Sequence, residues 1–248
     1  MLKQSKMKIN IIISPNFSKK KRIKKKIKFI IIHYTGMQSE RECIERLTSN
    51  KSQVSAHYLI SKSGNVIKIV DEANTAWHAG KSKWKNFINL NEQSIGIELV
   101  NKGHQFGYES FSKKQISQLI LLCKTLIRKY KIKKKNILGH SDIAPLRKKD
   151  PGEKFPWHFL SKKKIGYWHN INKKNINNRN LSKNDLRKFF FKNLYKIGYR
   201  YFDKKKSSKN DIKIIKSFQR RFRQNKVNGL IDQESFQISC YLASSIKY

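Results

Sequence analysis

Two histidines and one aspartate occupy positions where sheet proteins collect functional side chains. His33 follows the apolar run FIII and His140 follows NILG, so each comes directly after a predicted strand. Asp150 lies ten residues after His140, in a segment (residues 139–157) that holds three of the chain's four prolines. That proline density excludes a helix or a central strand and predicts a shaped loop. Two imidazoles and one carboxylate with an open position form a common catalytic zinc site. The ordinary alternative is that these histidines cap an element or fill the core.

A carboxylate and an amine nearby could complete such a site. Glu98 is the one acid in the apolar stretch SIGIELV, and an isolated carboxylate beside a core strand is costly unless it has a partner. It could act as a general base for a metal-bound water, or form a salt bridge with one of the many lysines. Lys148, two residues before Asp150, could stabilise an oxyanion, but in so lysine-rich a chain its position alone has little force.

The charge balance of the chain allows two interpretations. The 248 residues include 56 Lys and Arg against 16 Asp and Glu, a net charge of +40. A polyanion such as nucleic acid, anionic lipid or a wall polymer is one explanation, and a compositional bias towards lysine is the other. The lysines are spread through every segment, whereas nucleic-acid recognition favours arginine clustered on one face. We therefore expect no specific nucleic-acid partner.

The cysteines, the apolar runs and the N-terminal residues indicate in which cellular compartment the protein is expected. The three cysteines match no disulfide or thiolate-metal pattern. The longest apolar runs have the length of a strand, so no transmembrane segment is predicted. The first 26 residues contain no recognisable secretion signal, which favours the cytoplasm, with a periplasmic or wall-associated location as the alternative. We expect a monomer.

The elements predicted around these residues form a mixed sheet with helices, an α/β (α+β) fold. KFIIIHY is typical of a strand buried on both faces, and SIGIELVN of a strand whose Ile95, Ile97 and Leu99 share one face. AHYLIS and NVIKIV flank a hairpin turn. Residues 112–130 begin with a capping box and continue with apolar residues at helical spacing.

The chain divides into four predicted parts. A basic N-terminal extension covers residues 1–26, and we expect most of it to be a solvated lead-in rather than an anion-binding arm. A catalytic domain follows over 27–165, then an asparagine-rich linker over 166–180. Residues 181–248 are predicted to form a small three-helix domain. Its helices cover 182–197, 211–224 and 232–246, and pack around Phe189, Phe190, Phe218, Phe222 and Phe236.

Five ordered blocks between residues 27 and 165 carry a family resemblance. They are IIIHYTGM, VSAHYLISKSGNVIKIV, TAWHAGKSKW, SIGIELVN and LGHSDIAPLRKKDPGEKFPW. Together they resemble the zinc-dependent N-acetylmuramoyl-L-alanine amidases, the group related to phage T7 lysozyme and the bacterial anhydro-muropeptide amidases. The resemblance implies a mixed sheet flanked by helices with one zinc ion in a groove. It also implies cleavage of the amide bond between the lactyl group of N-acetylmuramic acid and L-alanine of the peptidoglycan stem peptide.

The same resemblance implies a role for individual residues. The matching zinc ligands are His33, His140 and Asp150, and the matching catalytic pair is Glu98 and Lys148. His78 and Trp77, in AWHAG, match the wall of the groove and are expected to bind the substrate. The substrate would be peptidoglycan or (anhydro)muropeptides, in wall turnover or muropeptide recycling. The related peptidoglycan-recognition proteins that only bind have lost a zinc ligand, so the complete set here argues against a non-catalytic recognition protein.

A second resemblance covers the C-terminal part. IIKSFQRRFRQNKVNGLIDQESF resembles the core of a peptidoglycan-binding helical module, with an apolar helix ending in FQ, a glycine-containing turn and an acid. The turn here is Asn228-Gly229 where the module usually has Asp-Gly. We expect a peptidoglycan-binding-like domain, with a bundle that only packs on the amidase domain as the alternative.

Overall fold

A six-stranded mixed sheet organises the N-terminal two thirds of the protein. The computed structural model describes residues 7–171 and 182–245. Within these ranges the strands are β1 Ile9–Ile11, β2 Phe17–Ser18, β3 Phe29–Tyr34, β4 Tyr58–Ile60, β5 Val66–Lys68, β6 Thr75–Ala76, β7 Lys83–Trp84, β8 Phe87–Ile88, β9 Ser94–Leu99 and β10 Ile137–Gly139. The main sheet has the order β1-β5-β4-β9-β3-β10, while β2-β6 and β7-β8 form two small antiparallel pairs.

Seven α-helices accompany these strands in the described ranges. They are α1 Glu40–Thr48, α2 Lys113–Tyr130, α3 His140–Ile143, α4 Trp157–Lys162, α5 Lys183–Ile197, α6 Asp211–Phe222 and α7 Gln233–Ser244. Short 3-10 turns lie at Lys24–Lys26, Asn50–Ser52, Leu90–Gln93 and Lys134–Asn136. The predicted mixed sheet with flanking helices and a C-terminal helical region is confirmed.

One face of the sheet is covered by α2. The Ser112 hydroxyl accepts a hydrogen bond from the Gln115 amide and caps this helix, as the sequence predicts. A buried stripe that includes Ile116, Leu119 and Leu126 packs on the isoleucines of β3 and β9 that point to this side. The predicted alternation along β9 is confirmed, because Ile95, Ile97 and Leu99 all lie in this core.

The opposite face of the sheet shares its core with the C-terminal helices. Phe29 and Ile31 of β3 and Leu138 of β10 lie in one buried cluster with Phe190, Phe191, Leu194, Phe218 and Phe222. The region over 182–245 therefore packs directly on the sheet. The prediction for Phe189 is wrong, since its side chain is 41% exposed and Phe191 is buried instead. Three consecutive residues span about 200° of a helix, so only two of the three rings can face the core.

The described part of the N-terminal segment, residues 7–26, contains two strands that the sequence did not predict. β1 pairs in parallel with β5 at the edge of the sheet, and β2 pairs with β6. Residues 172–180 of the predicted linker lie outside the described residues, whereas Tyr167 and Trp168 before them pack against the core. In the described parts of the chain, no helix has the length and apolar character needed to span a membrane.

Candidate metal centre

Three parallel strands bring the predicted site residues to one edge of the sheet. β3 lies between β9 and β10 and runs parallel to both, so the carboxyl ends of all three strands meet there. His33 and Glu98 are direct partners in the β3–β9 register and therefore point to the same face. His140 follows β10 at once and begins α3. The topology thus places residues more than a hundred positions apart side by side.

The side chains of His33, His140 and Asp150 converge on one buried point. Nδ1 of His33 lies 3.0 Å from Nδ1 of His140 and 3.0 Å from Oδ2 of Asp150. Nδ1 of His140 lies 3.1 Å from the same carboxylate oxygen. Within the described ranges this trio is the one group of histidine, cysteine or acidic side chains positioned to hold a metal ion.

The outward-facing nitrogens of both histidines have protein partners. Nε2 of His33 lies 3.0 Å from Nδ1 of His78, and Nε2 of His140 lies 3.2 Å from the Ala79 carbonyl oxygen. An Nε2 proton donated to these acceptors leaves the Nδ1 lone pair of each ligand free for a cation. Metal-binding histidines characteristically use their second nitrogen in this way. Two imidazole nitrogens and one carboxylate oxygen are also the donor set that zinc prefers.

His78 connects His33 to the backbone through hydrogen bonds. Its Nε2 lies 3.2 Å from the Ser94 hydroxyl, which in turn donates to the Leu90 carbonyl at 2.6 Å. The hydrogen bonds therefore have one consistent direction, from His33 through His78 and Ser94 to the backbone. Both nitrogens of His78 contact protein groups, His33 and Ser94, and the substrate-binding role of His78 stays a prediction.

The loop that carries Asp150 is fastened to the helix that carries His140. The Ser141 amide donates to the Asp150 carbonyl oxygen at 2.9 Å.

Burial on its own would raise the pKa of Asp150, but His140 and His33 outweigh it and hold that pKa well below its ordinary value. Burial, together with the charge of His140, lowers the pKa of His33 to about 4. At neutral pH the site thus offers a neutral His33 and an ionised Asp150.

Glu98 has a buried carboxylate oxygen without a hydrogen-bonded partner among the described residues. Among the described residues no group pairs with its buried Oε2 atom. Burial, reinforced by the negative charge of Asp150, raises the pKa of Glu98 to about 8, while Lys148 opposes the rise. A carboxyl group with a pKa near neutrality can both take and release a proton at physiological pH.

An open groove of about 1120 Å³ gives access to this edge of the sheet. His33, Glu98 and Lys148 line it together with residues of α1, so the predicted catalytic pair faces the same space as the metal ligands. Trp77 also lines the groove, and its ring nitrogen lies 3.3 Å from the Ser18 hydroxyl. All seven site residues predicted from the sequence are therefore found in or directly behind one groove.

One supporting residue was not predicted from the sequence. Arg22 stands among lysines in KKKRIKKKIK, yet its guanidinium donates to the carbonyl oxygens of Glu72, Asn91 and Ser94 and lies 2.7 Å from Nε2 of His57. It is the only arginine of that run. Its guanidinium presents five donors in one plane, so it can contact carbonyls that lie further apart than a lysine ammonium group could bridge. That single Lys-to-Arg contrast is the signal that could have identified it.

Comparisons with known proteins agree with this geometry. The family model described as N-acetylmuramoyl-L-alanine amidase matches residues 23–153. The amidase AmiD of Escherichia coli is 40% identical over 155 residues, which are 58% of this chain and 55% of that protein. The chain thus spans about half the length of the curated relatives it matches.

Solved structures resemble the chain over a longer range. E. coli AmiD, in complex with the substrate anhydro-N-acetylmuramic acid-L-Ala-D-gamma-Glu-L-Lys, has a TM-score of 0.78 at 32% identity, covering 92% of this chain and 91% of that one. AmpDh3 from Pseudomonas aeruginosa, in complex with anhydromuramic pentapeptide, has a TM-score of 0.77 at 28% identity, covering 89% and 92%. The family match covers more than half of the sequence and includes His33, Glu98, His140 and Asp150. The chain therefore belongs to the N-acetylmuramoyl-L-alanine amidase family.

Proposed function

We propose that the protein is a zinc-dependent amidase that cleaves the bond between the lactyl group of N-acetylmuramic acid and L-alanine of the stem peptide. The observation that carries the proposal is the convergence of His33, His140 and Asp150 beside the unpartnered carboxylate oxygen of Glu98. A binding protein has no need for a buried carboxylate that lacks a partner, since such a group is costly in free energy.

His33, His140 and Asp150 would hold one zinc ion through Nδ1, Nδ1 and Oδ2. Zinc supplies a Lewis acid that activates water and polarises the scissile carbonyl. The contacts of His33 with His78 and of His140 with Ala79 fix the ligand rings before substrate arrives. Preorganised ligands of this kind reduce the reorganisation needed during the reaction.

Glu98 is proposed as the group that moves the proton. Its carboxylate takes a proton from the attacking water, and the carboxyl group then gives it to the alanine nitrogen as the carbon–nitrogen bond breaks. The products are a lactyl carboxylate and a free amino group on the peptide.

Lys148 is proposed to stabilise the negative charge that develops on the carbonyl oxygen. Its ammonium group lies near enough to oppose the pKa rise of Glu98 and to lower the pKa of His33, and it lines the same groove. A fixed positive charge in a partly buried site stabilises an oxyanion more strongly than it would in water.

The proposed substrate class is (anhydro)muropeptides or intact peptidoglycan. The complexes of AmiD and AmpDh3 with anhydromuramic peptides support the first class.

We also propose that residues 181–248 form a peptidoglycan-binding-like domain. Gln219 of the FQ pair accepts from the Gly229 amide at 2.8 Å and donates to the Leu230 carbonyl at 2.8 Å, so this motif fastens the turn to α6. Glycan binding and the cytoplasmic location both stay predictions.

The test is product analysis on anhydro-muropeptides and on purified sacculi, with metal content measured on the same preparations. We expect free stem peptide from wild-type protein. Glu98→Gln should lower turnover by about 100-fold or more while one zinc per chain is retained. Unchanged turnover by Glu98→Gln would remove Glu98 from the mechanism. Binding to sacculi without any released peptide would instead identify a recognition protein.

A further inference from the structure

Asp142 is a buried carboxylate two residues after the metal ligand His140, and the C-terminal helices supply most of its partners. Nη1 of Arg221, on α6, lies 2.5 Å from its Oδ2 atom. The Tyr199 hydroxyl, just beyond α5, donates to its Oδ1 atom at 2.6 Å. Asp142 is 1% exposed, Arg221 2% and Tyr199 0%, so this ion pair is fully shielded from water.

The same carboxylate fixes the start of the helix that carries His140. Oδ2 of Asp142 accepts a hydrogen bond from the Gly139 amide at 2.8 Å. Gly139 is the last residue of β10 and His140 is the first residue of α3, so this bond sets the angle at which the chain leaves the strand. With Gly139, Arg221 and Tyr199 as partners, both carboxylate oxygens of Asp142 are engaged.

Arg221 also contacts the strand that precedes the ligand. Its Nη2 atom donates to the Ile137 carbonyl of β10 at 2.9 Å, and its guanidinium lies over the Trp157 ring at 4.0 Å from the centroid. One planar guanidinium thus bridges β10 and α3, on either side of the Gly139–His140 junction. Lysine could not make both contacts in this geometry, because it offers a single point of charge.

A second contact from α6 reaches the same short helix. The Ser217 hydroxyl donates to the Ser141 carbonyl at 2.7 Å, and Ser141 in turn donates its amide to the Asp150 carbonyl. The contacts of the C-terminal region therefore extend to the backbone on which two of the three ligands sit.

We propose that Arg221, acting through Asp142 with Tyr199, is a positioning residue for the metal ligand His140. The inference rests on the proposed function, since it concerns the same site. It assigns the C-terminal helical region a part in building the metal centre, in addition to any role in binding glycan. Partners that orient a ligand without touching the metal typically change metal affinity 10- to 100-fold when removed.

The experiment measures the zinc dissociation constant of the full-length protein by competition with a chelator, at a temperature where every variant is folded. Arg221→Met should raise the dissociation constant about 10-fold or more. Tyr199→Phe removes a single hydroxyl and should raise it about threefold, less than Arg221→Met, because Arg221 and the Gly139 amide still hold the Asp142 carboxylate. This milder variant decides the question if Arg221→Met does not fold.

Arg223→Met is the matched control. Arg223 lies two residues further along and is also 2% exposed, but it pairs with Asp232 and contacts Asn228, both within the C-terminal region. We expect Arg223→Met to lower the melting temperature while the zinc dissociation constant stays within about twofold of wild type. An equal loss of zinc affinity in Arg223→Met, or none in Arg221→Met and Tyr199→Phe, would overturn the inference.

Failure of the amidase proposal would give a different experimental result from failure of the inference about Arg221. Wild-type protein that binds zinc but releases no stem peptide would contradict the amidase proposal, and the affinity comparison among the variants would still decide the role of Arg221.

Discussion

Gly96→Ala tests whether the His78 ring positions the metal ligand His33. Gly96 lies in the middle of β9, where a glycine usually marks a close approach by another group. A Cβ atom at this position would lie closest to Cγ of the His78 ring and 2.6 Å from both Nδ1 and Cδ2. Ordinary van der Waals contact begins near 3.4 Å, so the ring would have to retreat by at least about 0.8 Å.

Displacement of the His78 ring would affect the metal centre through one hydrogen bond. Nδ1 of His78 lies 3.0 Å from Nε2 of His33, and a ring displacement of about 0.8 Å is enough to break a bond of that length. Loss of this partner should raise the zinc dissociation constant by about 10- to 100-fold. Overpacking of the buried ring should also lower the free energy of unfolding by about 1–3 kcal/mol.

A double-mutant cycle separates the clash from other effects of the alanine. Zinc affinity is measured by chelator competition for wild type, Gly96→Ala, His78→Ala and the double variant. If the methyl group acts by displacing the ring, Gly96→Ala should add less than about twofold when His78 is already absent. Wild-type zinc affinity in a folded Gly96→Ala protein would refute the reasoning, and so would additive effects in the cycle.

The remaining predictions concern Glu98 and Lys148. Burial raises the folded-state pKa of Glu98 from 4.5 to about 8, so the ionised carboxylate destabilises the metal-free fold increasingly between those pH values. Glu98→Gln should therefore stabilise the metal-free protein at pH 9, on the order of 4 kcal/mol, with little difference near pH 4, as measured by urea unfolding at both pH values. Equal stabilisation at both pH values would contradict the buried-charge explanation. Lys148→Met should lower kcat about 100- to 1000-fold with zinc content unchanged, whereas Lys162→Met, which removes the same charge from exposed α4, should leave kcat within about twofold. Similar kcat values for these two variants would contradict a specific role of Lys148 in stabilising the oxyanion.

Local patterns predicted the elements well and selected residues that the fold brings to one groove. The helix expected over 112–130 is found at Lys113–Tyr130, and the three C-terminal helices begin within a residue of their predicted starts. These elements have strong periodicity and capping residues, which are signals carried by neighbouring positions. His33, His140 and Asp150 could be connected because each adjoins a strand end or a proline-rich loop, and the family blocks then specified their roles.

Features that depend on contacts between residues far apart in the sequence were harder to predict. β1 has three residues and pairs with β5 more than fifty positions away, so no local pattern distinguishes it from an extension. Arg22 and Arg221 both lie in runs of basic residues, and only the fold reveals that one reaches several backbone carbonyls while the other pairs with Asp142. The sequence shows that a basic residue is present, but its burial depends on which carbonyls and carboxylates the topology brings near.

Two separate parts of the fold hold the proposed metal centre. His33 is fixed by the β3–β9 register and by the His78–Ser94 hydrogen bonds. His140 is oriented by Asp142, whose charge is balanced by Arg221 from the C-terminal region. Asp150 is tied to α3 through the Ser141 amide. Since the support of His33 is separate from the α3 support that His140 and Asp150 share, a perturbation of one support should weaken zinc binding without unfolding the other, and variants at His78 and Arg221 should then have additive effects on zinc affinity.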